Sequence, residues 1–515
     1  MSQPSEISLI PTQPTSDSSP VASIDPEPLW AALLNSIISK HKRKAAPTDP
    51  NLPFDTVRRK MYKAALISGD LELFRSACKS FGGKYLFKPV YFEEMVRGNE
   101  YDLLQILSQL YPDAVRLAAN PGDSHSPPIH IAIQSASIQA FEILFPFTTK
   151  ETVLRYSSDE ASILTEASLC GPNFVIDLLT DLPYINDLIR VANADPVQPY
   201  SALHNAAHNC IYPTFKKLFD AYSALGSTHN LPTQYGHTVL IIMIYTDALK
   251  AKLFIDNIPD HPLLTEPDCF GNMPLHWAAI EGCGEIVNAL YTIYATKDLV
   301  LTRDTADNLT FFDCLIYFNH SHIIQELLDR EDFDSRLLSI PDEPISTPLV
   351  HAIMMEHSDI CELLYPFSVE AGIIAELRNH DINVLTLAAG FGLDSIVHLI
   401  TSEPDLCSML MIGDDEDGHA PLHVAAYFSS VEIYALLYDC STIEQACLQE
   451  KHWGLTALHL TVMYRDQTMI ELVLRNRNKA RAMMRVKDID DLTAMDYARM
   501  RSPEIVSILE AAMEA

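Results

Sequence analysis

The chain has 515 residues, 48% of them hydrophobic and 20% charged, enough apolar material for a sizeable buried core. Its net charge of −32, from 68 acidic and 36 basic residues, repels phosphate backbones and argues against nucleic-acid binding. A basic partner, or simply a well-solvated surface, is the reading left.

In chain order, residues 1–27 are rich in Ser, Thr and Pro and predict a disordered tail. Residues 28–51 predict a short helix, with Trp30, Leu33, Leu34 and Ile37 on one face, and then a basic linker. Its KHKRK at 40–44 suits either a nuclear-import signal or cations at a helix C-terminus. No basic-then-apolar leader opens the sequence, and the apolar run VLIIMIY at 239–245 is too short to span a bilayer. The expectation is a soluble, intracellular, monomeric protein with no membrane contact. Ten cysteines occur singly with no CxxC pair, which signals neither a zinc ribbon nor a thioredoxin-like site and suits a reducing compartment.

From residue 52 to 515 the chain is periodic. The stretch PLHWAA around Leu275 returns as PLHVAA at Leu422, ALHLTV at Leu458, ALHNAA at Leu203 and PIHIAI at Ile129. Weaker copies stand at Leu164, Leu240, Phe312, Leu349, Leu385 and Met495, so that successive anchors lie 35 to 39 residues apart. Two further copies near Tyr62 and Phe92 bring the number to about thirteen. Pro opens the first helix of the unit, where its missing N–H is not needed. Small pairs such as Ala278–Ala279 and Ala425–Ala426 let neighbouring helices approach, and Ile286, Val287 and Leu290 form the buried stripe of the second helix.

The unit resembles the ankyrin repeat, which begins T-P-L-H-x-A and continues into a second apolar helix. That resemblance implies an all-α ankyrin-repeat solenoid of about thirteen degenerate repeats and a protein–protein recognition function. The period of 36–37 exceeds the family's 33, which predicts longer connecting loops, and the glycine after the first helix is mostly missing. Loosened repeats over the whole chain are also similar in style to the ankyrin-repeat effectors that intracellular bacteria deliver into host cytoplasm.

The repeats absorb most of the candidate chemistry. His130, His204, His276, His423 and His459 all follow the anchor, where the resemblance implies a structural bracket between units. His204 and His208 lie four apart, but Asn205 stands where a zinc protease needs Glu, so no metal is expected. Phosphate-binding, dinucleotide, nucleophile-elbow and kinase patterns are absent, and GDDEDGH at 413–419 has the wrong spacing for a calcium loop. No cofactor and no catalysis are expected. The alternative is a cysteine hydrolase in a degenerate unit, built on Cys170 or Cys210.

The candidate site is a surface. Residues five and six beyond each anchor should face solvent along the first helices, and in Gln134–Ser135 and His208–Asn209 they are polar. Later repeats carry Tyr317–Phe318, Met354–Met355, Gly390–Phe391, Tyr427–Phe428 and Met463–Tyr464, with Tyr245 and Ile280 extending the stripe backwards. If exposed, these aromatic and Met side chains form a groove for a partner; if longer repeats fold over them, they are core. Acidic residues near the loop tips (Asp304, Asp307, Asp414, Asp415, Glu416, Asp417, Asp488, Asp490 and Asp491) predict an acidic rim, which suits a basic or amphipathic protein segment.

Overall fold

A computed structural model describes residues 95–97, 101–121, 126–157, 161–194, 200–226, 233, 235–338, 347–380, 382–412, 418–428, 430–464 and 467–514. The tail at 1–27, the helix and basic stretch at 28–51, the copy near Tyr62, most of the copy near Phe92 and Asp414–Asp417 lie outside the described residues. The chain divides into two compact units, Met1–Asp159 and Glu160–Ala515. The described residues are helical, with isolated antiparallel bridges such as Arg303 to Thr310 and Lys487 to Thr493, and none of their helices is long and apolar enough to cross a membrane.

In the first unit, Pro128–Gln134 and Ile138–Leu144 form one helix pair, preceded by helices Tyr101–Leu110 and Pro112–Ala119. Asn120 ties these together: its amide donates to Phe147 O at 2.8 Å and its oxygen accepts from Thr149 N at 2.7 Å.

The second unit contains ten helix pairs among the described residues, from Ile163–Cys170 with Asn173–Thr180 to Ala494–Arg501 with Pro503–Glu514. Each first helix packs on the next first helix and each second helix on the next second helix, so the anchors form one continuous core. Ala206–Ala207, Ala278–Ala279, Ala388–Ala389 and Ala425–Ala426 are wholly buried, as their small size requires at this closest approach, and Ile286, Val287 and Leu290 are buried as expected.

Local chemistry starts each first helix at the same place. Two residues before the anchor, the side chains of Ser162, Ser201, Thr238, Thr310 and Thr493 accept the backbone N–H three residues on. Each such cap contributes about 1 kcal/mol and fixes the helix register against its loop. Among the described residues, the period beyond 33 goes at least in part into helix. That part is spent on second helices of 13 residues, such as Tyr212–Ala224, Gly284–Thr296 and Ser358–Glu370, and on an added short helix, as in Pro404–Leu410 and Arg477–Met483.

Two positions in the repeat need a left-handed backbone. One lies four residues before the anchor, in the hairpin: Gly236, Gly271, Asn308, Gly418, Gly454 and Asp491 all have positive φ there. The other lies seven after the anchor, between the helices, and holds Gly282 and Gly392 but also Ala136, Asn319 and Glu356. So the missing glycines leave the geometry unchanged, and the non-glycine residues adopt it under strain. Left-handed φ costs an L-residue about 1–2 kcal/mol, whereas glycine adds roughly 0.5–1 kcal/mol of unfolded-chain entropy. Glu356→Gly is therefore expected to stabilise the protein by roughly 0.5–1 kcal/mol, read as a raised denaturation midpoint. A midpoint that falls would show that the exposed Glu356 side chain supplies more than its strain costs.

Candidate functional site

The register five and six residues past the anchor lies at the C-terminal end of each first helix, and the structure leaves it open. Tyr317 is 54% exposed, Phe318 46%, Tyr427 56%, Phe428 60% and Tyr464 47%. Met354, Met355 and Phe391 are exposed as well, while Tyr245, Ile280 and Met463 are half-buried. Gln134, Ser135, His208 and Asn209 occupy the same register and are exposed, so the position faces water whether its residue is polar or apolar.

Neighbouring side chains in the stripe touch. Tyr427 packs edge-on against Phe428 and against Tyr464 of the next repeat, with centroids 5.2 and 5.4 Å apart. Phe428 also reaches back over Gly390: a Cβ there would stand 3.3 Å from Val424 and 3.9 Å from the Phe428 ring. Tyr317 and Phe318 make a second edge-on pair at 5.2 Å, and Tyr245 packs on Trp277 at 5.9 Å.

The stripe deepens into a cleft of about 440 Å³, whose apolar wall is Ile280, Tyr317, Phe318 and Met355. Its polar side is Asn272, Asp304, Asp307, Asp313 and His351. His351 Nδ1 and Asp313 Oδ1 are 3.2 Å apart, which fixes both groups at the floor.

The acidic rim differs from expectation. Asp304 and Asp488 are buried at 7% and 8% exposure and do not stand out on a rim. Each folds back onto its own hairpin, as Asp268 and Glu450 do: Asp304 accepts from Ala306 N and Asp307 N at 2.9 and 2.7 Å, and Asp488 from Asp490 N and Leu492 N at 2.9 Å. Peptide N–H groups that the turn leaves unpaired select an acid at that place. Asp307, Asp490 and Asp491 are exposed and form what is described of the rim.

The same hairpins carry a feature that the repeat reading passed over. Tyr235, Phe270, Trp453 and Ile489 sit at their tips, and all four are exposed. Backbone bonds chain neighbouring tips together, from Cys269 N to Tyr235 O, from Thr305 N to Phe270 O and from Ile489 N to Trp453 O, at 2.8 to 3.3 Å. The available signal was an aromatic residue directly before the left-handed glycine, as in Tyr235–Gly236 and Trp453–Gly454.

The histidines after the anchor explain how the units lock together. His276 Nδ1 accepts from Met273 N at 3.2 Å, so its Nε2 carries the proton and donates to Thr302 O at 3.1 Å. His423 repeats this, accepting from Ala420 N at 3.1 Å and donating to Leu448 O and Leu455 O at 3.0 and 3.1 Å. In His459, Nδ1 accepts from Thr456 N at 3.1 Å and Nε2 faces Leu492 O at 3.4 Å. One imidazole thus caps its own helix and grips the next hairpin. The fold is that of an ankyrin-repeat array.

Burial keeps these imidazoles neutral, pushing His204 and His423 down to about 4 and lowering His276 and His459. Where the histidine is lost, another side chain caps the start of the helix. Asp313 and Asp496 cap Thr310 N and Thr493 N, at 2.9 and 3.0 Å, and Asn383 accepts from Leu385 N and Thr386 N while donating to Leu410 O at 2.7 Å. The array therefore survives degeneration of its motif.

No family model matches the chain, and no curated protein matches it. Among solved structures, 170 chains match. One is the ankyrin repeat domain of Bcl-3, described as a unique member of the IkappaB protein family: 16% identical, TM-score 0.23, with 61% of this chain and 99% of that chain covered.

The thiols proposed for a hydrolase have surroundings that oppose it. Burial raises Cys170 and pushes Cys210 up to about 11; Cys314, which lines the cleft, is pushed up to about 12 by burial and the neighbouring Asp313. The protonated thiol is a poor nucleophile. His208 turns to Asn209, 2.8 Å away, and among the described residues no group of three or more His, Cys, Asp or Glu side chains could hold a metal.

Proposed function

We propose that this array is a non-catalytic scaffold that holds a basic, amphipathic segment of a partner protein along the register from Tyr245 to Tyr464. The observation that carries the reading is the recurrence of exposed apolar side chains at one register in successive repeats, from Tyr317 to Tyr464. A soluble surface has no reason of its own to repeat such a patch, whereas aromatic anchors and adaptable Met side chains are what binding surfaces use. The Asp307 carboxylate beside the cleft and the net charge of −32 favour a cationic partner.

The five repeats from Tyr317 to Tyr464, whose first helices stand about 8–10 Å apart, present a stripe of about 40 Å. That length matches a helix of roughly 27 residues or about 12 residues of extended chain. In this reading the array acts as a monomer in a reducing cytoplasm, the host cell's if it is an effector.

The test is titration of a fluorescent Leu/Lys amphipathic helical peptide of about 25 residues, the length set by the helix rise. Micromolar binding that weakens with added salt is expected, with a scrambled peptide of the same composition at least about tenfold weaker. Equal binding of both peptides, or none, removes the proposal.

A further inference from the structure

Cys210, Cys314 and Cys361 are buried one at a time, and burial pushes Cys361, like Cys314, up to about 12. Cys407 and Cys440 differ. Their sulfurs stand 3.3 Å apart, across the boundary between two repeats. Cys407 belongs to the short helix Pro404–Leu410 that ends one repeat, and Cys440 is the last residue of Val431–Cys440, the second helix of the next. Cys407 is 3% exposed, whereas Cys440 is open to solvent.

The surroundings favour a shared proton. The hydrogen bond between the two sulfurs holds Cys407 below its ordinary value, while that pairing and burial push Cys440 upwards. A cation stands close by: the Lys479 ammonium binds Tyr438 O and Ser441 Oγ, the latter at 3.2 Å, and acts on the Cys440 sulfur. One thiolate, one thiol, an adjacent cation and one open side are the conditions of a reactive dithiol. A disulfide needs its sulfurs about 2.05 Å apart, so the pair must close from 3.3 Å for the bond to form.

We propose that Cys407 and Cys440 are a redox-modification site that closes to a disulfide on reaction with a small-molecule disulfide such as oxidised glutathione. Cys440, the open member, attacks one sulfur of the oxidant as a thiolate after passing its proton to Cys407. The sulfur–sulfur bond of the oxidant breaks and the first glutathione leaves as thiolate. Cys407, deprotonated again, attacks the Cys440 sulfur of the mixed disulfide and expels the second glutathione. The protein loses two electrons and two protons, and the oxidant gains both to become two thiols. Closure fastens the repeat that carries Phe391 to the repeat that carries Tyr427 and Phe428. The site uses none of the residues of the binding register, so either reading can fail alone.

The experiment equilibrates the reduced full-length protein with glutathione buffers of increasing oxidation. Remaining thiols are then alkylated under denaturing conditions and counted by intact mass and peptide mapping. The expected result is a fall from ten alkylated cysteines to eight, with the Cys407 and Cys440 peptides joined. Cys407→Ser is expected to stop at a glutathione adduct on Cys440, and Cys440→Ser to leave the buried Cys407 unmodified. Persistence of a glutathione adduct on wild-type Cys440, pairing of Cys440 with Cys447, or ten free thiols throughout would each overturn the proposal. Cys440→Ser changes a solvent-open residue, so its result stands even where Cys407→Ser folds poorly.

Discussion

A chain carrying Phe318→Glu, Phe391→Glu and Phe428→Glu is expected to fold like wild type and to lose affinity for the basic amphipathic peptide by more than about 100-fold. Folding should survive because the three rings are 46%, 37% and 60% exposed, and substitutions at open positions usually change stability by only about 0.5 kcal/mol each. Binding should not survive, because an aromatic anchor at the centre of an interface contributes on the order of 2 kcal/mol, and a Glu placed there must also be desolvated. The charge change sharpens the test. Three added carboxylates take the net charge from −32 to −35, which strengthens any purely electrostatic attraction for a basic peptide. Tighter binding by the variant would therefore mean that charge alone drives association, and the apolar register would lose its role. Unchanged binding would move the site to the hairpin tips, where Trp453 is 62% exposed and Phe270 46%. Phe428→Glu alone, at the most open of the three positions, carries the same test if the triple variant is unstable.

The repeat was legible in the sequence because its determinants are local and recur. The anchor, the alanine pair and the Ser or Thr two residues earlier each act within one unit, as the caps at Ser201, Thr310 and Thr493 show. The exposed register was legible for the same reason, since it is a fixed offset on one helix. What stayed hidden depends on where a side chain turns. Asp304 and Asp307 are alike in the sequence, yet one carboxylate folds onto two backbone N–H groups and is buried, and the other meets solvent. Glu356 carries no mark of its left-handed backbone, because the neighbouring helices impose that turn whatever residue sits there. Asn383 was likewise unreadable as the stand-in for a histidine: its partner Leu410 O lies in the added short helix, which the repeat pattern did not place. The pair Cys407 and Cys440 is invisible for a related reason, since 33 residues separate two thiols that only the stacking of repeats brings together.

Acidification should loosen the array well above the range in which carboxylates titrate, and the brackets make that separable from general charge effects. His204 and His423 are pushed down to about 4 in the folded chain, against about 6.5 when unfolded. Between those values the unfolded chain binds protons that the folded chain does not, so stability is complete above pH 6.5 and falls as the pH drops towards 4. At 1.36 kcal/mol per pKa unit, each of the two contributes a loss on the order of 3 kcal/mol, and His276 and His459 shift in the same direction. The opposing influence is the net charge of −32, whose self-repulsion is relieved as the pH approaches the isoelectric point near 4.8. A comparison of wild type with His423→Gln cancels that shared contribution, because both chains lose the same carboxylate charge. The variant is expected to be less stable at pH 7.5, since Ala420 N and the carbonyls of Leu448 and Leu455 lose their shared partner. Below pH 6.5 the gap in denaturation free energy should narrow by about 1.4 kcal/mol per pH unit, because only the wild type must hold an imidazole neutral. A gap that stays constant from pH 7.5 to 4.5 would show that His423 takes up its proton without breaking its grip on Leu448 and Leu455. Its Nδ1 would then have to release Ala420 N, and the bracket would reduce to the bond between repeats.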